Sequence, residues 1–428
     1  MKPSYALMAI LFIFTFSASA RAQVAPAATG PAGLGGSLGP PVNGMLQYSL
    51  NYAQTAQFYG GTQGGSQTSG VNGQVTFITA KAHPFALTYS GGDMWTISGA
   101  GEGSGVFQHL MVSQGFVLHS WAFNLNDNVS YTPQAPTMGF SGIPGVGSLP
   151  GAPGAPTQPI LTLNTRSVNN QTGANFTHGL GHATSLGVNG SYGILRYPDG
   201  NGLETNSLQA GPQITRRLNA LNSITGQYSF SSFSYPGSTI TMETQSAMAG
   251  YQRTWSRRLN TSVSAGPEWI QGSAGSNIPS STDLTVNANM SYAAKSGTAT
   301  LSYTQAASGG AGVTTQVGVN NKDISAALSR QQGKNLSLSV TGSYMRTGGL
   351  QQTGVTNAEY GGVSATRRLG RYIVASANYT AIYQSTSSSL PANAVSGLSQ
   401  VIGFSLGFSP REKRFKKLLT KEDYARAP

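Results

Sequence analysis

Apolar and polar residues alternate with a period of two down most of the chain. The clearest run has Ile373, Ala375, Ala377, Tyr379, Ala381 and Tyr383 on one face. Val374, Ser376, Asn378, Thr380 and Ile382 make the other, polar through its middle. Leu186, Val188, Tyr192 and Ile194 likewise oppose Ser185, Asn189 and Ser191. Leu284, Val286, Ala288, Met290 and Tyr292 oppose Thr285, Asn287, Asn289 and Ser291, and Leu336, Leu338, Val340 and Tyr344 oppose Ser337, Ser339, Thr341 and Ser343. A period of two belongs to a strand whose faces meet different surroundings. Here one face is apolar and the other carries hydroxyls and amides, so a one-residue slip would exchange them completely.

From Met45 onward the pattern divides into runs at 45–58, 70–81, 84–98, 104–116, 120–132, 160–177, 183–197, 203–215, 220–233, 240–254, 259–271, 282–293, 298–306, 321–330, 335–347, 355–367, 371–384 and 397–408. Many reach the roughly 9–11 residues that a tilted strand needs to cross an outer membrane. Connections alternate between short (near 178–182, 216–219, 257–259, 295–297, 331–334 and 367–371) and long (near 198–202, 272–282, 306–320, 348–354 and 385–396). Short turns on the periplasmic side and long loops outside are the habit of bacterial outer-membrane barrels. The predicted fold is all-β: one transmembrane antiparallel β-barrel of 18 strands over residues 44–409, with 16 strands as the alternative.

Aromatics fall at Tyr131, Tyr192, Tyr228, Trp269, Tyr303, Tyr344 and Tyr379, with intervals of 36, 41, 34, 41 and 35 residues from Tyr192 on. That is one per hairpin, toward the loop end of upward strands, where an aromatic membrane-interface girdle belongs. The opposite faces supply a candidate pore lining of Asn189, Gln227, Ser264, Glu268, Asn287, Asn289 and Asn378. It is hydrogen-bonding and nearly uncharged, without the opposed charged ladders that set ion selectivity in general porins.

Composition agrees with a wall one residue thick. Charged residues make up only 9% of the 428, apolar residues only 39%, and Gly reaches 56, too little for either a thick dry core or a charged disordered chain. There is no cysteine, so no disulfide framework holds the fold. The net charge of +12 is clustered: Lys2 and Arg21 give two, the segment after Pro410 gives seven cations less three acids, and six remain, many in turns. Turn arginines of this kind suit lipid headgroups, and nucleic acid is not expected as a partner. Residues 1–22 read as a signal peptide, with Lys2, an apolar core at Leu7–Phe16 and Ala20-Arg21-Ala22 for cleavage. Residues 23–43 are an Ala/Gly/Pro-rich lead-in, and 410–428 a basic periplasmic tail that suits a short helix with Phe415, Leu418 and Leu419 on one side. The connection from Pro133 to Pro159 holds seven prolines and six glycines, which excludes a central strand and leaves both a lumen loop and a surface loop open.

Catalytic chemistry is sparse. His178 and His182 are four apart, but in a Gly-rich turn where that spacing does not align ligands. His119 and Asp127 are eight residues apart on one run, too far to hydrogen bond. No enzyme, cofactor or metal is expected. Two acids stand out. Glu268, beside Trp269, should face the lumen near the outer rim. Asp127 shares the parity of Trp121, Phe123, Leu125, Val129 and Tyr131, which aims it at lipid. The expectation is a bulge that shifts its phase, and the functional alternative is contact with another barrel subunit.

The last run carries Ile402, Phe404, Leu406 and Phe408 on one face, with Gly403 between. Here the chain resembles outer-membrane proteins inserted by the β-barrel assembly machinery, whose final strand carries a Gly, alternating hydrophobics and a terminal Phe. The departure is that twenty residues follow Phe408. The resemblance is architectural, closest to porin-like barrels, and transfers no functional residue. It implies an outer-membrane location, lipid and the assembly machinery as partners, and room for a homo-oligomer. The expected function is passive passage of small hydrophilic solutes, neutral ones included. The alternative is a non-conducting or accessory barrel, such as an outer-membrane component of surface-polysaccharide export.

Overall fold

The computed structural model describes residues 45–59, 64–79, 83–99, 105–118, 120–132, 166–200, 202–273, 276, 278–309, 317–333, 335–350, 354–387, 396–410 and 413–414, with Met45, Thr386 and 413–414 as backbone alone. The expected signal peptide, lead-in, 133–159 connection and tail helix lie outside these residues.

Eighteen long strands follow one another: β1 (Met45–Phe58), β2 (Gly65–Thr79), β3 (Phe85–Gly99), β4 (Gly105–Leu118), β5 (Trp121–Thr132), β6 (Ser167–Gly179), β7 (Thr184–Arg196), β8 (Thr205–Arg217), β9 (Asn222–Ser234), β10 (Thr241–Thr254), β11 (Leu259–Gly272), β12 (Ser281–Ala294), β13 (Gly297–Ser308), β14 (Val319–Gln332), β15 (Leu336–Gly349), β16 (Val355–Leu369), β17 (Ile373–Thr386) and β18 (Gly397–Phe408). Each pairs antiparallel with the next, and β18 returns to β1, Leu50 facing Phe408 and Phe58 facing Gln400. The ring is closed, so no strand edge is left open along the wall. A two-residue strand, β19 (Lys413–Arg414), adds to the foot of β1 opposite Met45 and Leu46.

The strands match the expected runs to within a few residues at most ends. The largest differences are β2, which starts at Gly65 rather than 70, and β6, described from Ser167 rather than 160. At 12 to 15 residues each, tilted by ~45°, the strands span roughly 28–35 Å, enough for the apolar band of an outer membrane. Three of the short turns share one geometry. Leu180 N–H donates to Thr184 O, Leu218 to Asn222 and Trp255 to Leu259, each at 2.9 Å. Asn219 and Ser256 then bond the backbone N–H groups two and three residues on, which fixes the reversal. In the β16–β17 turn Gly370 takes φ 78, a left-handed conformation that costs glycine least.

Alternation is kept through nearly the whole ring. One parity of each strand carries large apolar side chains that remain exposed, such as Leu186, Val188 and Tyr192 on β7 or Leu398, Ile402, Phe404, Leu406 and Phe408 on β18. The other parity is polar, half-buried or buried. Among the described residues apolar burial is scattered along the wall, as at Met345, Ala358, Ile382 and Val401, and gathers into small clusters such as Met94 with Phe107, and Met242 with Ile270, Ile278 and Ala307.

The bulge expected at Asp127 is absent. β5 runs in unbroken register with β4 and β6, Asp127 opposite Val112 and Thr172, so the carboxyl keeps the outward parity of Leu125 and Val129. Its physical solution is local: it accepts hydrogen bonds from Thr172 Oγ1 (2.7 Å) and Asn170 Nδ2 (3.1 Å) on the same face of β6. The register shift that does occur lies between β2 and β3, at Gln67/Thr68.

Candidate functional site

Contacts between non-neighbouring strands identify the inward face. Glu268 of β11 reaches the backbone of Ala307 on β13, and Tyr235, just past β9, reaches Gly309, just past β13. Only the interior of a ring allows such reach. The inward parity is thereby that of Glu268, Met242 and Ile270.

Asn189, Gln227, Ser264, Asn287, Asn289 and Asn378 all carry that parity on β7, β9, β11, β12 and β17. Asn287 is exposed to the interior, its amide 3.7 Å from the Met248 sulfur; the other five are half-buried. Between them run hydroxyl pairs that sequence alternation alone does not reveal. Thr298 meets Ser329, Ser302 meets Ser325, Ser339 meets Ser364 and Ser376 meets Ser405, each pair directly opposite in register. Thr215 and Thr225 do the same at 3.3 Å. In each pair one hydroxyl donates to the other, which leaves the second O–H free to turn toward the interior. Inward charges lie at the ends: Glu268, Asp283 and Asp323 toward the loop side, Arg217 and Arg368 toward the turns.

At the loop side the interior is partly filled. The ends of β13 and β14 lean inward, so that their outer face packs against the inner face of β11 and β12. Glu268, only 5% exposed, accepts the Ala307 N–H at 2.9 Å, Thr285 Oγ1 donates to Gln305 O at 3.0 Å, and Asn320 donates to Asp283. Glu268 thus carries the inward parity, and it pins the infolded hairpin rather than presenting a free charge. Ala307 joins Met242, Ile270 and Ile278, with Phe233, Val317 and Leu350 around them. Across the mouth the Tyr235 hydroxyl donates to Gly309 O. Gly318 (φ 74) closes the hairpin neck, its N–H 3.0 Å from Gly309 O, and a Cβ there would stand 2.9 Å from the Met242 sulfur. The sequence carried one signal of this: Phe233 and Tyr235 place aromatics on a face that is otherwise Ser, Thr and Gln along β9.

Tyr131, Tyr192, Tyr228, Trp269, Tyr303, Tyr344 and Tyr379 all lie on the outward parity. Tyr131 and Tyr303 are half-buried and the other five exposed. Three of their hydroxyls follow a rule, while Tyr303 donates to Gln305 on its own strand at 2.7 Å. Tyr228 donates to Gln245 (2.9 Å), Tyr344 to Asn357 (3.0 Å) and Tyr379 to Gln400 (2.9 Å), in each case one register step toward the loop end on the next strand. Near the turns Tyr251 points the opposite way, to Asn222 at 2.6 Å, and Arg253 lies over the Trp255 ring at 3.9 Å. Phenols at both rims thus turn away from the middle of an apolar wall, as water-seeking groups on a membrane-facing ring do. The chain is a closed antiparallel β-barrel whose apolar outer wall is bordered by aromatic rims.

His178 of this barrel stacks on Trp121 with ring centroids 3.7 Å apart, an outward aromatic contact near the turns. His182 is exposed in the turn beyond. Among the described residues no group of three or more His, Cys, Asp or Glu side chains is placed to hold a metal.

No protein-family model matches the sequence, and no curated protein is similar to it. Solved structures do resemble the barrel. OccAB3 of Acinetobacter baumannii is 8% identical, with 87% of this chain and 100% of that one covered and a TM-score of 0.44. OccK2 (OpdF) of Pseudomonas aeruginosa is 8% identical over 86% and 98% of the two chains, with a TM-score of 0.46. OprD of the same organism is 9% identical over 86% and 95%, with a TM-score of 0.40. Likeness at this level assigns no residue a role.

Proposed function

We propose that the barrel provides passive passage across the outer membrane for small hydrophilic solutes, uncharged ones included. The observation that carries this is the interior face of the closed ring, a continuous lining of hydroxyls and amides with its charges confined to the two ends. Asn189, Gln227, Ser264, Asn287, Asn289 and Asn378 line the path, and Glu268 acts through the hairpin it holds. Tyr131, Tyr192, Tyr228, Trp269, Tyr303, Tyr344 and Tyr379 form the outer-leaflet girdle. The reading assigns the barrel no catalysis. Lipid is its standing partner, and Gly403, Leu406 and Phe408 are the residues the assembly machinery would engage during insertion. The outward Asp127 cluster leaves a second copy of the chain as a further partner.

Single-channel recording in planar bilayers tests the proposal. The expected result is a steady open state of porin size that added neutral sugars block. A folded, heat-modifiable barrel that stays silent would sink it. The infolded β13–β14 end supports a second reading, a barrel closed at its outer mouth, and the same recording decides between the two.

A further inference from the structure

The infolding that narrows the mouth opens a recess on the outside of the wall. It has a volume of ≈240 Å³ and is lined by Asn320, Lys322, Arg346, Gly348 and Val355. Lys322 and Arg346 stand directly opposite each other on β14 and β15, and both are exposed on the outward parity. Like charges facing across a strand pair repel, so the arrangement is unfavourable without an anion between them. Neither cation is in an ion pair among the described residues, where the two ion pairs are Arg166–Asp199 and Arg196–Glu204. The nearest acids are Asp323, which follows Lys322 but faces inward opposite Met345, Asp283, which Asn320 engages, and Glu359, opposite Tyr344 one step below the recess.

Height fixes what the recess faces. Ile324 and Tyr344 are the register pair immediately beneath Lys322 and Arg346, and Tyr344 belongs to the aromatic row. Two residues further along a tilted strand raise the cations only ~5 Å above that row, the level of lipid headgroups. Beneath it the wall continues as Ala326 with Gly342 and Leu328 with Val340, a shallow apolar trough of acyl-chain width.

We propose that Lys322 and Arg346 bind a phosphate of the phosphorylated saccharolipid that forms the outer leaflet, its acyl chains lying along the β14–β15 trough. Arginine supplies a planar fork for phosphate oxygens and lysine a point charge.

The test is native mass spectrometry of the detergent-purified full chain titrated with lipid A, with fully dephosphorylated lipid A and with inorganic phosphate. The unaltered protein should retain lipid A and bind the dephosphorylated form less well. Lys322→Gln/Arg346→Gln should weaken retention roughly tenfold or more, since each cation near an anionic surface contributes about 1 kcal/mol. Lys322→Arg/Arg346→Lys, which keeps the charge, should retain it, as should Lys295→Gln/Arg330→Gln at the opposite rim. Heat-modifiable electrophoretic mobility confirms folding of each variant. Equal retention by the Gln pair, or equal binding of the dephosphorylated lipid to the unaltered protein, overturns the proposal. So does displacement of the lipid by millimolar inorganic phosphate, which would make the recess a site for free anions. None of these readouts depends on whether the channel conducts.

Discussion

Asp127 shows how one residue can break the pattern of its strand without breaking the strand. A carboxyl in the middle of an apolar wall is expensive, yet the register does not slip to rescue it. Asn170 and Thr172 were chosen on the neighbouring strand instead. Asp127→Leu should therefore destabilise the barrel by roughly 1–3 kcal/mol, because it strands two donors as well as removing an acceptor. Asp127→Leu/Asn170→Leu/Thr172→Val should recover most of that loss. Urea unfolding in detergent, followed by tryptophan fluorescence, measures both; a triple variant as weak as the single one would refute the account. Tyr235 is the corresponding residue at the mouth. Tyr235→Phe keeps the ring beside Gly309 but deletes the hydroxyl that donates to it. Longer open times or a larger conductance should follow in bilayer recordings, whereas Tyr228→Phe, on the outward face, should leave the current unchanged.

For the elements, the informative unit is the rung rather than the strand. Ser339 and Ser364 face each other on the inner wall, 2.7 Å apart. A double-mutant cycle with Ser339→Ala and Ser364→Ala should return a coupling of about 0.5–1 kcal/mol, each single change costing more than half of the double. Additive losses would mean that water, not the partner, satisfies each hydroxyl. The strands were legible in the sequence because one wall separates two solvents, so every residue along it reports its side. Val286, Ala288 and Met290 against Thr285, Asn287 and Asn289 is enough to place β12. Rungs were not legible, because they need the register between two strands, and alternation is blind to register. The turns were legible for the same local reason as the strands: Gly370 and the Asn219 and Ser256 side chains act within a few residues of themselves.

At the scale of the whole molecule, what the sequence left hidden is the interior mouth. Ala307 with Met242, and Gly309 with Tyr235, are distant in the chain and meet only because the ring curves back on itself. Gln305 and Ala307 keep the parity of an outward strand, so nothing in the local pattern marks them as buried. With Glu268 bound to backbone, the interior face keeps few free charges among the described residues. The K⁺/Cl⁻ permeability ratio should lie within roughly threefold of unity, since the described residues form no opposed charged rings that select by sign. Reversal potentials in a salt gradient check this, and strong selectivity for either ion would contradict the lining described above.

The seam between β1 and β18 carries a consequence for the order of assembly. Each of the other strand junctions joins consecutive segments, so it can form as a local hairpin. The seam joins Leu50 to Phe408, about 360 residues apart, and closing so long a loop from a disordered chain would cost roughly 5 kcal/mol in entropy. Seventeen junctions made beforehand bend the sheet and bring its two edges together, so most of that cost is met before the seam forms. Closure is thus a late event whose rate depends on the curvature of everything between. The foot of the seam comes later still, since Met45 and Leu46 pair with Lys413 and Arg414, which lie beyond the end of the last long strand. A chain ending at Ser409 should close at nearly the normal rate but reopen faster, its first strand fraying from the end that carries Met45.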